Sequence, residues 1–360
     1  MIQFYGQVGN YLSIANVARA YAKELRHNNL PFALWATDPG NKPFSPLDAP
    51  YATGLDPDAP LGITVGYPEQ GLMWLKDHKK KILVTVCESS RIPRDWVQIC
   101  NALDLIIVPS KFCHQAFLES GVKKPILVAR HGIDGIYTSW TRGQPISNEF
   151  KYNLVHISGS VTFHRRKSTA PLLRAFDEIS AKYNACLHLR VNETQGLREF
   201  ISRLKHPDRI RIHNAGNGLT PRDMAWFLLQ SDAVIQPSRG EGFGICPLEA
   251  RCLGVPNVLT NCTGHLEHFV PSCDVQVPHG PPEVLETIGN SLGSCPTVTE
   301  EGIKGGLVQL LENLNSYKQK TQAWAKEHAH EWLWSTTLKP AMKAIRSLHN
   351  ETKGPMRLNS

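Results

Sequence analysis

Short apolar runs alternate along the chain with longer stretches in which apolar residues recur every three or four positions. Runs at 2–5 (IQFY), 32–35 (FALW), 63–66 (ITVG), 82–86 (ILVTV), 105–109 (LIIVP) and 126–129 (ILVA) are apolar on both faces and rich in Val and Ile. That pattern predicts strands of a parallel sheet covered on both sides. Between them, residues 14–28 place Val17, Ala20, Tyr21 and Leu25 on one stripe, which predicts a helix. Further helices are expected at about 70–80, 95–102 and 111–120, the last closed by Gly121.

The alternation then restarts. Strands are expected at 153–158, 186–191, 210–213, 233–236 and 256–260, with helices at 168–182, 195–205, 221–231, 246–253 and several beyond 300. A polar stretch at 141–151, containing Gly143, Pro145 and Asn148, reads as the linker between the halves. The expected architecture is therefore α/β, two Rossmann-like doubly wound parallel-sheet domains facing across a cleft, at 1–145 and 150–335. A helix in 336–360, following the Trp- and His-rich segment that starts near 317, is expected to cross back to the first domain. The last ten residues read as a frayed tail.

Composition narrows the class. The 360 residues are 41% apolar and 20% charged, which excludes intrinsic disorder. No stretch of about 18 uninterrupted apolar residues occurs, so no transmembrane helix is expected. The start, MIQFYGQVGN, lacks the basic-then-apolar order of a signal peptide. The nine Cys form no Cys-x-x-Cys pair, which favours reduced thiols in a cytoplasmic protein over disulfides or a zinc site. The net charge of +7 is spread thinly: 15 basic against 13 acidic residues over 1–150, and 24 against 19 over 151–360. This balance fits a phosphate-bearing ligand and does not demand a nucleic-acid surface.

In open α/β sheets ligands sit beyond the carboxyl ends of the strands, and the chain's polar and Gly-rich segments fall in those loops. The strongest is Ser238-Arg-Gly-Glu-Gly-Phe-Gly-Ile-Cys-Pro-Leu-Glu249. Gly240, Gly242 and Gly244 permit close backbone approach, and the following helix start suits a phosphate. Glu241 and Glu249 would repel a bare phosphate but suit sugar hydroxyls beside one. Ser158–Ser168 carries Arg165, Arg166 and Lys167, able to neutralise a diphosphate leaving group. Gly6–Ser13, with Gly9 and Asn10, turns the first strand into a helix. With Asp38 it mimics an incomplete dinucleotide fingerprint, but Gly-x-x-Gly supports a nicotinamide enzyme weakly. Glu88, in Cys87–Pro93, is the best first-domain base or acceptor contact. His131, in His131–Asp134, is as fit for a structural turn as for chemistry. No metal-ligand spacing occurs.

The segment 236–256 (QPSRGEGFGICPLEARCLGVP) resembles the donor-site signature of retaining GT-B glycosyltransferases of the E-x7-E type, the group 1 or family-four enzymes. Val108-Pro-Ser-Lys-Phe112, His131-Gly-Ile-Asp134, the Arg-Lys-Ser loop and Glu88…Arg91-Ile-Pro93…Trp96 follow in the family's order, from about residue 6 to 265. The resemblance implies that Glu241 contacts donor-sugar hydroxyls, Glu249 holds the ribose, and the backbone of Gly242, Phe243 and Gly244 lines sugar and phosphate. It implies a basic pair on the diphosphate. The family has an Arg after the strand's Gly and a Lys followed by Gly; this chain has Ser160 and Lys167-Ser168 there, so Arg165 or Arg166 stands in for the Arg. The nucleobase is expected against 192–196 and 214–219.

The expected catalytic set is Glu241, Arg166, Lys167 and Glu88. The expected donor-binding set is Gly9, Asn10, Arg165, Gly242, Phe243, Gly244, Glu249 and His131. The implied activity is metal-independent, retaining transfer of a sugar from a UDP- or GDP-sugar, a co-substrate, to a hydroxyl of a saccharide, lipid-linked saccharide or other glycoconjugate. Peripheral membrane contact is compatible with a lipid-linked acceptor. The alternatives are a glycosyltransferase acting on a modified nucleic-acid base, weakly supported by pI ≈ 8.9, a phosphorylase of the same fold, a non-catalytic binding module, and the nicotinamide oxidoreductase.

Overall fold

The computed structural model describes residues 1–38, 52–56, 58–139, 144–159, 164–191, 195–214, 216, 218–285 and 293–353. Parts of the expected linker (141–143), Ser160, the loop residues 192–194, 215 and 217, and the tail from 354 lie outside them. The chain divides into two compact units, Met1–Gly132 with Trp334–Ser360, and Ile133–Leu333.

The first unit holds strands β1 (Ile2–Gly6), β2 (Phe32–Ala36), β3 (Ala52–Thr53), β4 (Leu61–Val65), β5 (Lys80–Val84), β6 (Leu105–Val108) and β7 (Ile126–Val128). They form one sheet in the order β3-β2-β1-β4-β5-β6-β7, parallel throughout. Starting in the middle and growing outward in both directions is the doubly wound order. Every residue of β1 and β4 is buried, which is why these strands read as mostly apolar runs, with only Gln3 and Thr64 polar.

Helix α1 (Ser13–His27) buries Val17, Ala20, Tyr21 and Leu25 as its stripe requires. Helix α2 (Pro68–Leu75) starts two residues ahead of the expected 70–80 and ends five residues short of it, and Lys80 already belongs to β5. Helix α3 spans Arg94–Asn101. Helix α4 (Lys111–Ser120) starts on Ser110, whose hydroxyl accepts from Cys113 N at 3.0 Å, and stops at Gly121 with φ +105°.

The second unit repeats the plan with β8 (Tyr152–Gly159), β9 (Ala185–Val191), β10 (Ile210–Asn214), β11 (Ala233–Gln236), β12 (Asn257–Thr260) and β13 (Asp274–Val277), ordered β10-β9-β8-β11-β12-β13. All of these pairs are parallel. Its helices are α5 (His164–Lys167), α6 (Thr169–Tyr183), α7 (Gln195–Ser202), α8 (Pro221–Leu229), α9 (Ile245–Cys252), α10 (Glu300–Glu312) and α11 (Leu314–His328). An antiparallel hairpin, β14 (Gly280–Val284) with β15 (Ser294–Thr297), stands outside the sheet.

The division falls at 132/133, ahead of the expected 141–151 linker. Ile133 and Tyr137 are each 1% exposed and share the second unit's core with Phe243 and Leu248. Ile133 N also donates to Trp332 O at 2.8 Å. The two ends of this unit are thus stitched together, and α11 belongs to it.

Beyond Leu333, α12 (Trp334–Thr337) and α13 (Lys339–Glu351) belong to the first unit. Ala341, Met342 and Ile345 are buried, Lys80 pairs with Glu351 at 3.0 Å, and the Arg346 guanidinium donates to Asn28 O. No helix among the described residues is long and apolar enough to cross a membrane.

Candidate donor site

The Gly-rich loop leaves β11 and opens α9. Gly244 caps the helix at φ +86°, a left-handed conformation that favours glycine. A Cβ there would also lie 2.4 Å from the His265 ring. The loop leans on the turn at 263–267 after β12, backbone against backbone. A Cβ on Gly264 would sit 2.4 Å from both Gly242 C and Phe243 N. Gly264 N donates to Glu241 O at 2.8 Å, and Glu241 N donates to Thr263 Oγ1 at 3.1 Å. Phe243 is buried beneath the loop.

The basic segment meets the loop at Glu241. Lys167 donates to one carboxylate oxygen. Arg166 lies 3.3 Å from the other and also donates to Gly240 O. Arg166 O in turn accepts from Arg239 N at 2.8 Å. Glu241 and Arg166 have side chains 7% exposed, and Lys167 16%. Burial alone would push the Glu241 carboxyl up; the Lys167 and Arg166 charges, with His265 adding to them, override it and hold the group far below the usual carboxylate range.

Arg165, adjacent to Arg166, is exposed and is not among the residues gathered at Glu241. Ser168, where the family pattern has Gly, adopts φ +53° and ψ 33°. The position thus keeps a glycine-like backbone while bearing a side chain.

Glu249 lies one helical turn into α9 and is buried. Burial pushes its carboxyl up to about 8, opposed by a hydrogen bond from Tyr137 and assisted by Asp134. At neutral pH this carboxyl is protonated while its neighbour Glu241 is ionised. Cys246, half-buried on the same helix, feels Glu249, Lys167 and Glu241; burial and the two Glu push its thiol well up.

Beneath the loop runs a polar network that the sequence did not single out. His268 Nε2 lies 2.9 Å from Phe243 O. Its Nδ1 lies 2.9 Å from Arg251 Nη2. Arg251, fully buried, also donates to His268 O and sits 3.3 Å from Asp274 Oδ1. Asn257 Nδ2 donates to Asp274 Oδ1 at 2.8 Å, and Val270 N to Asp274 Oδ2 at 2.8 Å. Arg251, His268 and Asp274 read as ordinary polar positions.

The remaining expected residues belong to the first unit. Asp38 clamps the Gly9 loop: its carboxylate accepts from Val8 N at 3.0 Å, Gly9 N at 2.7 Å and Asn10 Nδ2 at 3.2 Å. Asn10 Oδ1 accepts from Leu12 N at 3.0 Å. The acid that mimicked a ribose ligand is therefore a loop clamp. Glu88 is half-buried in the loop after β5. His131 is buried, which pushes its imidazole down to about 3, and its ring lies 5.7 Å from that of Trp334. It is neutral throughout the physiological range.

Residues 153–292 match the family described as Glycosyl transferases group 1. No curated protein matches the sequence. Among solved structures, the fold matches sucrose-phosphate synthase from Thermosynechococcus elongatus with TM-score 0.71 at 14% identity, covering 97% of this chain and 99% of that one. HepE of Anabaena, solved with UDP-glucose, matches with TM-score 0.68 at 16% identity, covering 96% and 99%. WaaG, a glycosyltransferase involved in lipopolysaccharide biosynthesis, matches with TM-score 0.65 at 13% identity, covering 96% and 99%. The fold of the chain is GT-B, and residues 153–292, which hold the Glu241 cluster, carry the group 1 glycosyltransferase pattern.

Proposed function

We propose that the protein is a retaining glycosyltransferase that moves a sugar from a UDP-sugar, or alternatively a GDP-sugar, to a hydroxyl of a saccharide or other glycoconjugate. The observation that carries the reading is the buried convergence of Arg166 and Lys167 on Glu241 at the mouth of a glycine loop and helix start. Two cations held there neutralise a diphosphate as it departs, and the adjacent carboxylate accepts from donor-sugar hydroxyls. The UDP-glucose in HepE supports uridine as the nucleoside.

In this reading the bond from the sugar's anomeric carbon to the diphosphate oxygen breaks, and the bond to the acceptor oxygen forms on the same face. The acceptor's proton passes to the leaving diphosphate, so no protein nucleophile is required. Arg166 takes the place of the family's Arg, Lys167 that of its Lys, and Glu249 holds the ribose. Gly9, Asn10, Glu88 and His131 are the first unit's proposed contributions. Metal independence is part of the proposal, with the charge supplied by the two side chains.

The test is calorimetric titration with UDP, GDP, UDP-glucose and NAD, with and without EDTA, followed by an acceptor screen. Binding of one nucleoside diphosphate unaffected by EDTA is expected. Binding of NAD alone, or of none, overturns the reading.

A further inference from the structure

We propose that His268 is a positioning residue for the donor's diphosphate, acting through the peptide between Phe243 and Gly244. The inference rests on the donor-site reading above and extends it to a side chain outside the loop.

The geometry begins with Arg251. Its guanidinium has only donors, so His268 Nδ1, 2.9 Å from Nη2, must accept. The proton of the neutral ring then sits on Nε2, which donates to Phe243 O at 2.9 Å. The ring is neutral because burial, then Arg251 and His265, hold it well below the ordinary histidine range. Arg251 is held in place by Asp274, which Asn257 and the Val270 backbone hold in turn. Every side chain in this chain of contacts is buried.

The consequence lies in the peptide plane. The described peptide bonds are all trans, so a carbonyl and the N–H that follows it point in opposite directions. With Phe243 O drawn inward to His268, Gly244 N–H points outward. Gly244, Ile245 and Cys246 are the half-buried stretch where the loop reaches the surface, whereas 240–243 are buried. Gly244 is also the cap of α9, whose first N–H groups face the same end. Were the peptide to flip, the site would present a carbonyl oxygen to a diphosphate, and the two would repel. His268 sets which way it points.

The test uses the full chain, with His268→Leu to remove the donor, His268→Asn to shorten it, and His268→Gln to replace it with an amide that both donates and accepts. Two readouts are taken: amide hydrogen exchange at Gly244 in the free protein, and affinity for UDP. Leu or Asn is expected to slow exchange at Gly244, as the freed peptide turns its N–H inward, and to weaken UDP by roughly tenfold to a hundredfold, with Gln restoring both. The proposal is overturned if folded Leu and Asn variants keep wild-type exchange and affinity, or if a folded Gln variant fails as they do. Wild-type protein that binds no nucleoside diphosphate would sink the donor reading instead, while the exchange measurement would still decide whether His268 pins the peptide.

Discussion

Arg166 and Glu241 stand 3.3 Å apart with both side chains 7% exposed, one on the short helix α5 after β8 and the other in the loop after the neighbouring strand β11. A carboxylate buried against two cations cannot be removed without leaving those cations unmatched. Glu241→Gln is therefore expected to cost about 3–5 kcal/mol of stability as well as activity. Chemical denaturation of the variant checks the first, and transfer assays the second. A fully stable Glu241→Gln would mean that the pair is already solvated.

The two adjacent arginines should separate cleanly. Arg166→Ala is expected to lower kcat/KM by about a hundredfold or more, in line with losing one stabilising donor at a leaving group. Arg165→Ala, at an exposed position, should change it by less than about threefold. Steady-state kinetics with the donor varied would reveal the reverse ranking if the assignment is wrong.

Glu249 makes stability depend on pH in a stated direction. An unfolded Glu loses its proton near pH 4.3, whereas the folded one keeps it until about 8. Between those values the native state binds more protons, so the group's contribution falls as pH rises. Glu249→Gln should match wild type near pH 4 and exceed it by a few kcal/mol at pH 8, at about 1.4 kcal/mol per unit. Denaturant midpoints of the two proteins at pH 5 and pH 8 measure this; parallel curves would refute it.

Asp38→Ala should loosen the turn at Gly9 by removing the acceptor for Val8 N, Gly9 N and Asn10 Nδ2. A loss of roughly 1–3 kcal/mol is expected from the stranded donors. Faster amide exchange confined to Val8 and Gly9 is the accompanying signature. An unchanged exchange pattern would show that water replaces the carboxylate.

Gly264→Ala places a methyl 2.4 Å from Gly242 C and Phe243 N, both backbone atoms. The donor loop must shift, and UDP affinity should fall by at least about tenfold, a change of 1.4 kcal/mol. Titration of the variant with UDP decides the matter, and wild-type affinity would show that the loop has slack.

The strands that were legible are those buried on both faces, where burial leaves a mostly apolar run; β1, β4, β6 and β11 lie within two residues of expectation at either end. What escaped is short or polar. Strand β13 alternates polar residues, Asp274 and Gln276, with Val, and every residue of β14 is exposed, so neither carries the signal of a covered sheet. The glycine loop was legible because strand, glycines and helix start follow one another in the chain. The choice between Arg165 and Arg166 was not, since neighbours on one helical turn face different ways. The His268–Arg251–Asp274 network was hidden for a different reason. Its members are spread over residues 251–274, and only the tertiary fold turns such polar side chains inward.

The unit that Lys339–Glu351 completes has a consequence for synthesis. Residues 133–333 emerge from the ribosome as one continuous stretch and can fold in passing. The earlier-made sheet must wait, its flank uncovered, until Ala341, Met342 and Ile345 arrive. The unit begun by Met1–Gly132 is thus finished after the one that follows it, and a premature stop before residue 339 would leave it exposed to chaperones and proteases.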